Sequence, residues 1–179
     1  MTRTIQLRKW TKTFGAIAPA AFAAVLWVAP AVAQDQWIAT FEDWSAFEFT
    51  EAGKKVCYMS SSPLDMEPKG VRRGDVYVNV THDNRAGTRN VVSTIAGYTL
   101  AEGKAVVAEG GQAEFRMFAA TDAAWNLTSE QDDAMVQAMI VGSRLTVLGE
   151  SDRGTETRDI YSLLGFTAAY EAISEACVE

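Results

Sequence analysis

The chain has 179 residues, with 16 Lys and Arg against 23 Asp and Glu, one His and two Cys, and a net charge of −7 at neutral pH. That length holds one domain with a substantial core, and the acidic balance argues against nucleic acid or an anionic lipid surface as partner. With a lone histidine and no paired Cys-x-x-Cys, the common zinc-ligand spacings are excluded, and no metal or cofactor is expected.

The first residues read as a secretory leader. Arg3, Arg8, Lys9 and Lys12 form a basic start, Phe14 to Ala29 is almost wholly apolar, and Ala31-Val32-Ala33 fits a small-x-small cleavage pattern. Residues 1–33 are therefore expected to be a signal peptide and residues 34–179 a single β-rich domain. An uncleaved anchor is the competing reading, but the apolar run is short and is interrupted or bounded by Pro19 and Pro30. Losing the four basic residues takes the net charge from −7 to about −11. The expected location is the periplasm, with peripheral outer-membrane association as the second possibility.

Trp37 to Phe49 is aromatic and branched, and reads as strand with a bend or bulge near Asp43. Lys55 to Ser60 alternates, placing Cys57 and Met59 on one face. Ser61 to Gly74 reads as irregular, since Pro63 and Pro68 bar a long helix. Val76, Val78 and Val80 mark a strand, His82 to Gly87 a loop, and Arg89 to Ala96 the returning strand. Ala105 to Ala108 and the Phe115–Met117 region give two more. Thr121 to Thr128 reads as a loop carrying Trp125. Thr128 followed by Gln131 resembles a capping box, with Asp132 and Asp133 in the favoured first turn and Met135, Val136, Met139 and Ile140 on the apolar face. Leu145 and Val147 alternate in the next strand, Ser151 to Gly154 turns, and Thr155 to Leu164 returns. After Gly165, the residues Phe166, Ala169, Tyr170, Ile173, Ala176 and Cys177 make one stripe on a short helix. Eight or nine short strands with a middle and a terminal helix predict a mainly β fold, either a β-sandwich or a partly open barrel.

Two cysteines in an exported chain predict one disulfide, Cys57 to Cys177, rather than two separate thiols. Closing a loop of about 120 residues restricts the unfolded chain by roughly 4 to 5 kcal/mol. The bond would hold the terminal helix against the sheet.

Catalytic constellations are thin. His82 beside Asp83 and Asn84 reads as an exposed loop residue, without a Gly-x-Ser-x-Gly elbow, and the cysteines are better used as a bond than as nucleophiles. Asp152, Glu156 and Asp159 lack calcium-loop spacing and read as turn and surface charge. Paired carboxylates and tryptophans leave a glycosidase open as the alternative, a periplasmic enzyme acting on envelope carbohydrate. Trp37, Trp44 and Trp125 are at least as well explained as core.

Several stretches occur together and in order: Trp44, Cys57-Tyr58, Arg72-Arg73-Gly74, Trp125, Met139, Gly142, Ser151-Asp152-Arg153-Gly154-Thr155, the run Tyr161 to Ala169, and the late Cys177. In these the chain resembles the invasion-associated locus B family of alphaproteobacterial envelope proteins. The resemblance implies an exported β-rich domain with a short C-terminal helix. The family name refers to bacterial entry into host red cells, and the resemblance carries over no catalytic residue. Polar loop chemistry and this resemblance together mark Arg72, Arg73, Asp152 and Arg153 as the candidate binding surface. The expected function is a non-enzymatic binding or structural module contacting an envelope protein or peptidoglycan, with host-cell attachment suggested by the resemblance alone.

Overall fold

The computed structural model describes residues 34–111 and 113–178, all within one compact unit. The leader expected over residues 1–33 lies outside the described residues. Eleven strands form one antiparallel sheet. In chain order they are β1 (Gln36–Phe41), β2 (Trp44–Glu51), β3 (Lys54–Ser61), β4 (Asp65–Glu67), β5 (Tyr77–Asp83), β6 (Thr88–Ile95), β7 (Ala105–Gly110), β8 (Ala113–Ala120), β9 (Ala123–Trp125), β10 (Arg144–Glu150) and β11 (Glu156–Ser162). Helix α1 (Ser129–Val141) precedes β10, and α2 (Phe166–Ala176) ends the fold.

Three local expectations need correction. Residues 36–51 are a hairpin and not one bent strand: Glu42 takes φ 51°, so Phe41 pairs directly with Trp44. The bulge is present too, between Trp37 and Ala39 in β1. Strands β4 and β9, three residues each, lie inside segments expected to be irregular; both are too short to alternate visibly, and pairing with long neighbours defines them. His82 is the sixth residue of β5 and not part of a loop.

The sheet order is β1-β2-β3-β5-β6-β9-β8-β7-β10-β11-β4, with β1 and β4 at the edges. Alternate residues of nearly every strand point to a common interior: Trp44, Met59, Val80, Met117, Leu145 and Tyr161 are all buried there. The sheet curls far enough that its beginning meets its end. Trp44 Nε1 donates to the Ser162 carbonyl at 3.0 Å, and Asp43 N to the Leu164 carbonyl at 3.3 Å. The fold is thus mainly β, a partly open barrel with helices packed against it.

Helix α1 starts as its sequence suggests, with the Thr128 hydroxyl accepting from Gln131 N at 3.3 Å. The Gln131 side chain reaches back to Leu127 N, one residue earlier than a capping box requires. Asp132 does more than favour the helix start. Its carboxylate is buried and accepts from Val92 N at 3.0 Å and from Asn126 Nδ2 at 2.9 Å, tying α1 to β6. Burial raises its pKa against the effect of those bonds.

Helix α2 leaves β11 through Gly165, at φ 86°. A side chain there would land on the Phe41 carbonyl, so glycine is what lets α2 begin against the β1–β2 turn. Phe166, Ala169 and Ile173 face the core, with Phe166 edge-on to Trp44 at 4.9 Å between ring centres. Cys177 caps the helix and is bonded to Cys57, with Cα atoms 5.9 Å apart and a separation of 120 positions in sequence. The expected disulfide fastens the helix to β3.

Candidate functional site

The end of the barrel away from α2 is closed by side chains. Gly97 follows β6 at φ 71° and presses against the backbone of Gly74, whose N–H donates to its carbonyl at 2.8 Å. A Cβ at Gly97 would stand 2.8 Å from the Gly74 oxygen, so only glycine permits this approach. The contact delivers Arg73 into the barrel mouth. Its guanidinium grips Asp159 through two bonds of 2.6 Å and donates to the Ala96 carbonyl at 3.0 and 2.7 Å. It also lies 5.0 Å from the centre of the Tyr98 ring. The two charged side chains are 6% and 4% exposed. Tyr98 completes the plug by sharing a 2.6 Å bond with the Thr157 hydroxyl.

Asp159 was expected to be surface charge; it is buried because Thr157, Asp159 and Tyr161 form the inward face of β11. A buried carboxylate needs a partner that fills its lone pairs, and the planar arginine fork does so. Burial alone would push the Arg73 pKa down; the bonds to Asp159 outweigh it and raise it. Burial pushes the Tyr98 and Tyr161 phenols up.

Above this plug is an open cleft of about 500 Å³. Arg72, Arg73, Asp152 and Arg153 all line it, although the two pairs are far apart in sequence. Their roles differ. Arg73 is consumed by the plug and acts as floor. Arg72, Asp152 and Arg153 are exposed, and none of them forms an ion pair with a described residue. The turn that carries Asp152 and Arg153 is well held. Ser151 N donates to Thr155 O at 2.9 Å, Thr155 N to Ser151 Oγ at 3.0 Å, and Asp152 N to Thr99 O at 2.9 Å. The charged tips therefore extend from a fixed backbone.

A somewhat larger cavity, about 560 Å³, lies beside Glu67, Lys104, Glu150, Glu156 and Arg158. There the charges largely satisfy one another: Lys104 pairs with Glu150 at 3.2 Å and Arg158 with Glu67 at 3.9 Å. Size favours that cavity, but unpaired cationic groups favour the mouth. Among the described residues no group of three or more His, Cys, Asp or Glu could hold a metal ion. Trp44 is fully buried, whereas Trp37 is 64% exposed and Trp125 is half-buried against Phe118.

The histidine sits at the opposite end, beneath α2. His82 is fully buried and faces Cys57 across the strands. Its Nδ1 accepts from Asn90 N at 3.1 Å, so Nε2 carries the proton and donates to Ser174 Oγ at 3.0 Å. In that tautomer the ring cannot take the serine proton. The pair is a clasp for α2, reinforced by Tyr170 donating to Asn90 Oδ1 at 3.0 Å.

Burial, helped by nearby Arg89, lowers the His82 pKa from 6.5 to about 4. As pH falls below 6.5 the unfolded chain takes up this proton before the folded one does. The contribution is therefore complete above pH 6.5 and is lost between 6.5 and about 4. It amounts to roughly 3 kcal/mol. Urea unfolding across that range should show this loss in the wild type and a shallower slope in His82→Gln; identical slopes would contradict the assignment.

The site and fold define a class: a disulfide-fastened, half-open antiparallel barrel with one mouth plugged by an arginine–aspartate pair. The chain belongs to the invasion associated locus B family, whose model matches residues 44–174. The fold is similar to the crystal structure of invasion associated protein b from Bartonella henselae, with a TM-score of 0.57 at 20% identity, covering 82% of this chain and 97% of that one. At that identity the likeness concerns the fold. No curated protein matches.

Proposed function

We propose that this protein is exported to the periplasm and works as a non-enzymatic binding module of the cell envelope, docking an envelope protein or peptidoglycan at the barrel mouth. The observation that carries the reading is the cleft itself. Two segments some eighty residues apart bring Arg72, Asp152 and Arg153 together over the rigid Arg73–Asp159 floor. The Ser151–Thr155 turn holds Asp152 and Arg153 on a fixed backbone, and charged tips that no described side chain engages suit recognition, because little ordering is needed on binding. Export is supported by the basic start, the apolar run and Ala31-Val32-Ala33. Peripheral association with the outer membrane would follow from the partner held at the mouth. Attachment to a host surface, which the family name suggests, would use the same cleft.

One experiment tests both halves. Protein recovered from the envelope fraction should have an intact mass beginning at Gln34; a retained Met1 segment would contradict export with cleavage. The same preparation, immobilised, should capture its partner from envelope extract or from sacculi. Arg72→Glu and Arg153→Glu should each weaken that capture by about tenfold or more without changing the unfolding midpoint. Undiminished capture by both variants would place the binding surface elsewhere.

A further inference from the structure

The chemistry of the cleft narrows what it takes. We infer that the barrel mouth is a monoanion site and that the group it recognises is the free carboxylate at the end of a peptide chain. This rests on the cleft being the binding surface.

Charge points to a monoanion. Arg73 and Asp159 cancel each other within the floor. Of the remaining charged lining residues, Arg72 and Arg153 are positive and Asp152 is negative. The cleft thus carries a single excess positive charge, on a chain whose net charge is −7 with the leader and about −11 without it. A carboxylate neutralises that excess; a phosphate dianion would overshoot it and meet the surrounding negative field.

The donor set suits a carboxylate. A guanidinium presents a planar fork that matches a carboxylate through two parallel bonds. Arg72 and Arg153 stand on different segments and neither is engaged by a described acidic side chain. Arg73 shows the same chemistry completed internally, with Asp159 in the place a ligand carboxylate would take at the other two.

The remaining wall suits a peptide end. Val71 and Tyr98 give apolar surface, while Thr99 and Thr155 give hydroxyls. A peptide end offers a carboxylate, a small side chain and an amide, and these match the three kinds of surface present. A volume of about 500 Å³ suits a short end of chain and not a folded domain. Free peptide carboxylates reach such a protein from two sources, the C-terminus of another protein or the stem peptides of the cell wall. Their stereochemistry separates them, since a protein end is an L-residue.

The test is a calorimetric titration of the mature protein with acetyl-L-Ala-L-Ala, acetyl-D-Ala-D-Ala, the C-terminal amide of each, and phenyl phosphate. At least one free acid should bind, its amide should bind about tenfold more weakly or worse, and phenyl phosphate should not bind better than the acid. Arg72→Gln and Arg153→Gln should each weaken the acid by about tenfold while leaving the unfolding midpoint in place. Preference for the L or the D acid assigns the source. Equal binding of acid and amide, or tighter binding of phenyl phosphate, would overturn the assignment. So would the absence of any acid binding, even if envelope capture still depends on Arg72 and Arg153; the cleft would then remain the docking surface with a different ligand. Acid binding alongside undiminished envelope capture by the charge-reversed variants would support the carboxylate site and remove the docking reading instead.

Discussion

Replacing both cysteines with alanine should lower the stability of the folded domain by about 4 to 5 kcal/mol, the entropy of closing a 120-residue loop in the unfolded chain. Reduction of the wild type should give a loss of similar size. Helix α2 should loosen most. Its hold otherwise comes from Phe166, Ala169 and Ile173 in the core and from bonds that include His82–Ser174, Tyr170–Asn90 and Lys55 Nζ to the Ala176 carbonyl. Hydrogen exchange read residue by residue should show lost protection in α2 and at Cys57, with β10 and β11 nearly unchanged relative to global stability. An unfolding midpoint that does not move on reduction would mean that packing alone fixes the helix.

The second large effect is expected at the barrel mouth. Asp159→Leu leaves the Arg73 guanidinium buried without a carboxylate, and Arg73→Met leaves the Asp159 carboxylate with no cation. Breaking a buried pair from one side typically costs about 3 to 5 kcal/mol. Replacing both, as Arg73→Met with Asp159→Leu, removes the two desolvated charges together and should recover much of that loss. A double-mutant cycle on urea unfolding therefore predicts strong coupling between the two positions. Additive losses would show that the plug is not held by its ion pair. In the double variant the floor of the cleft loses its polar anchor, so partner capture should weaken even where stability returns.

The sequence carried more of this than a first reading takes from it. The β-rich class, both helices and the Cys57–Cys177 bond follow from alternation, helical spacing and the presence of just two cysteines to pair. Two residues misjudged as exposed, His82 and Asp159, carry the same overlooked signal. Val76, Val78 and Val80 alternate inward, and His82 is simply the next position on that face. Tyr161 is large and buried, and Asp159 lies two residues before it on the same face. In both cases the polarity of the residue was weighed above its register, and register decides which side of a sheet a side chain occupies.

The site was legible in part for a different reason. Arg72, Arg73, Asp152 and Arg153 stand out by charge near glycines in an acidic chain, but charge cannot tell which arginine is buried. That depends on Gly97 admitting the backbone of Gly74 and so turning Arg73 inward, a contact between segments paired by the whole sheet. Strands β4 and β9 were invisible for the same reason: three residues have no period, and only their neighbours make them strands.

Partner docking at the barrel mouth can be read out in living cells by placing a photoreactive amino acid at Thr155, on the rim of the cleft, and separately at Glu171, on the exposed side of α2 at the other end of β11. After irradiation, a discrete cross-linked species is expected from position 155, lost when Arg72→Glu and Arg153→Glu are introduced, and none from position 171. Cross-linking confined to position 171, or unaffected at 155 by the charge reversals, would contradict it.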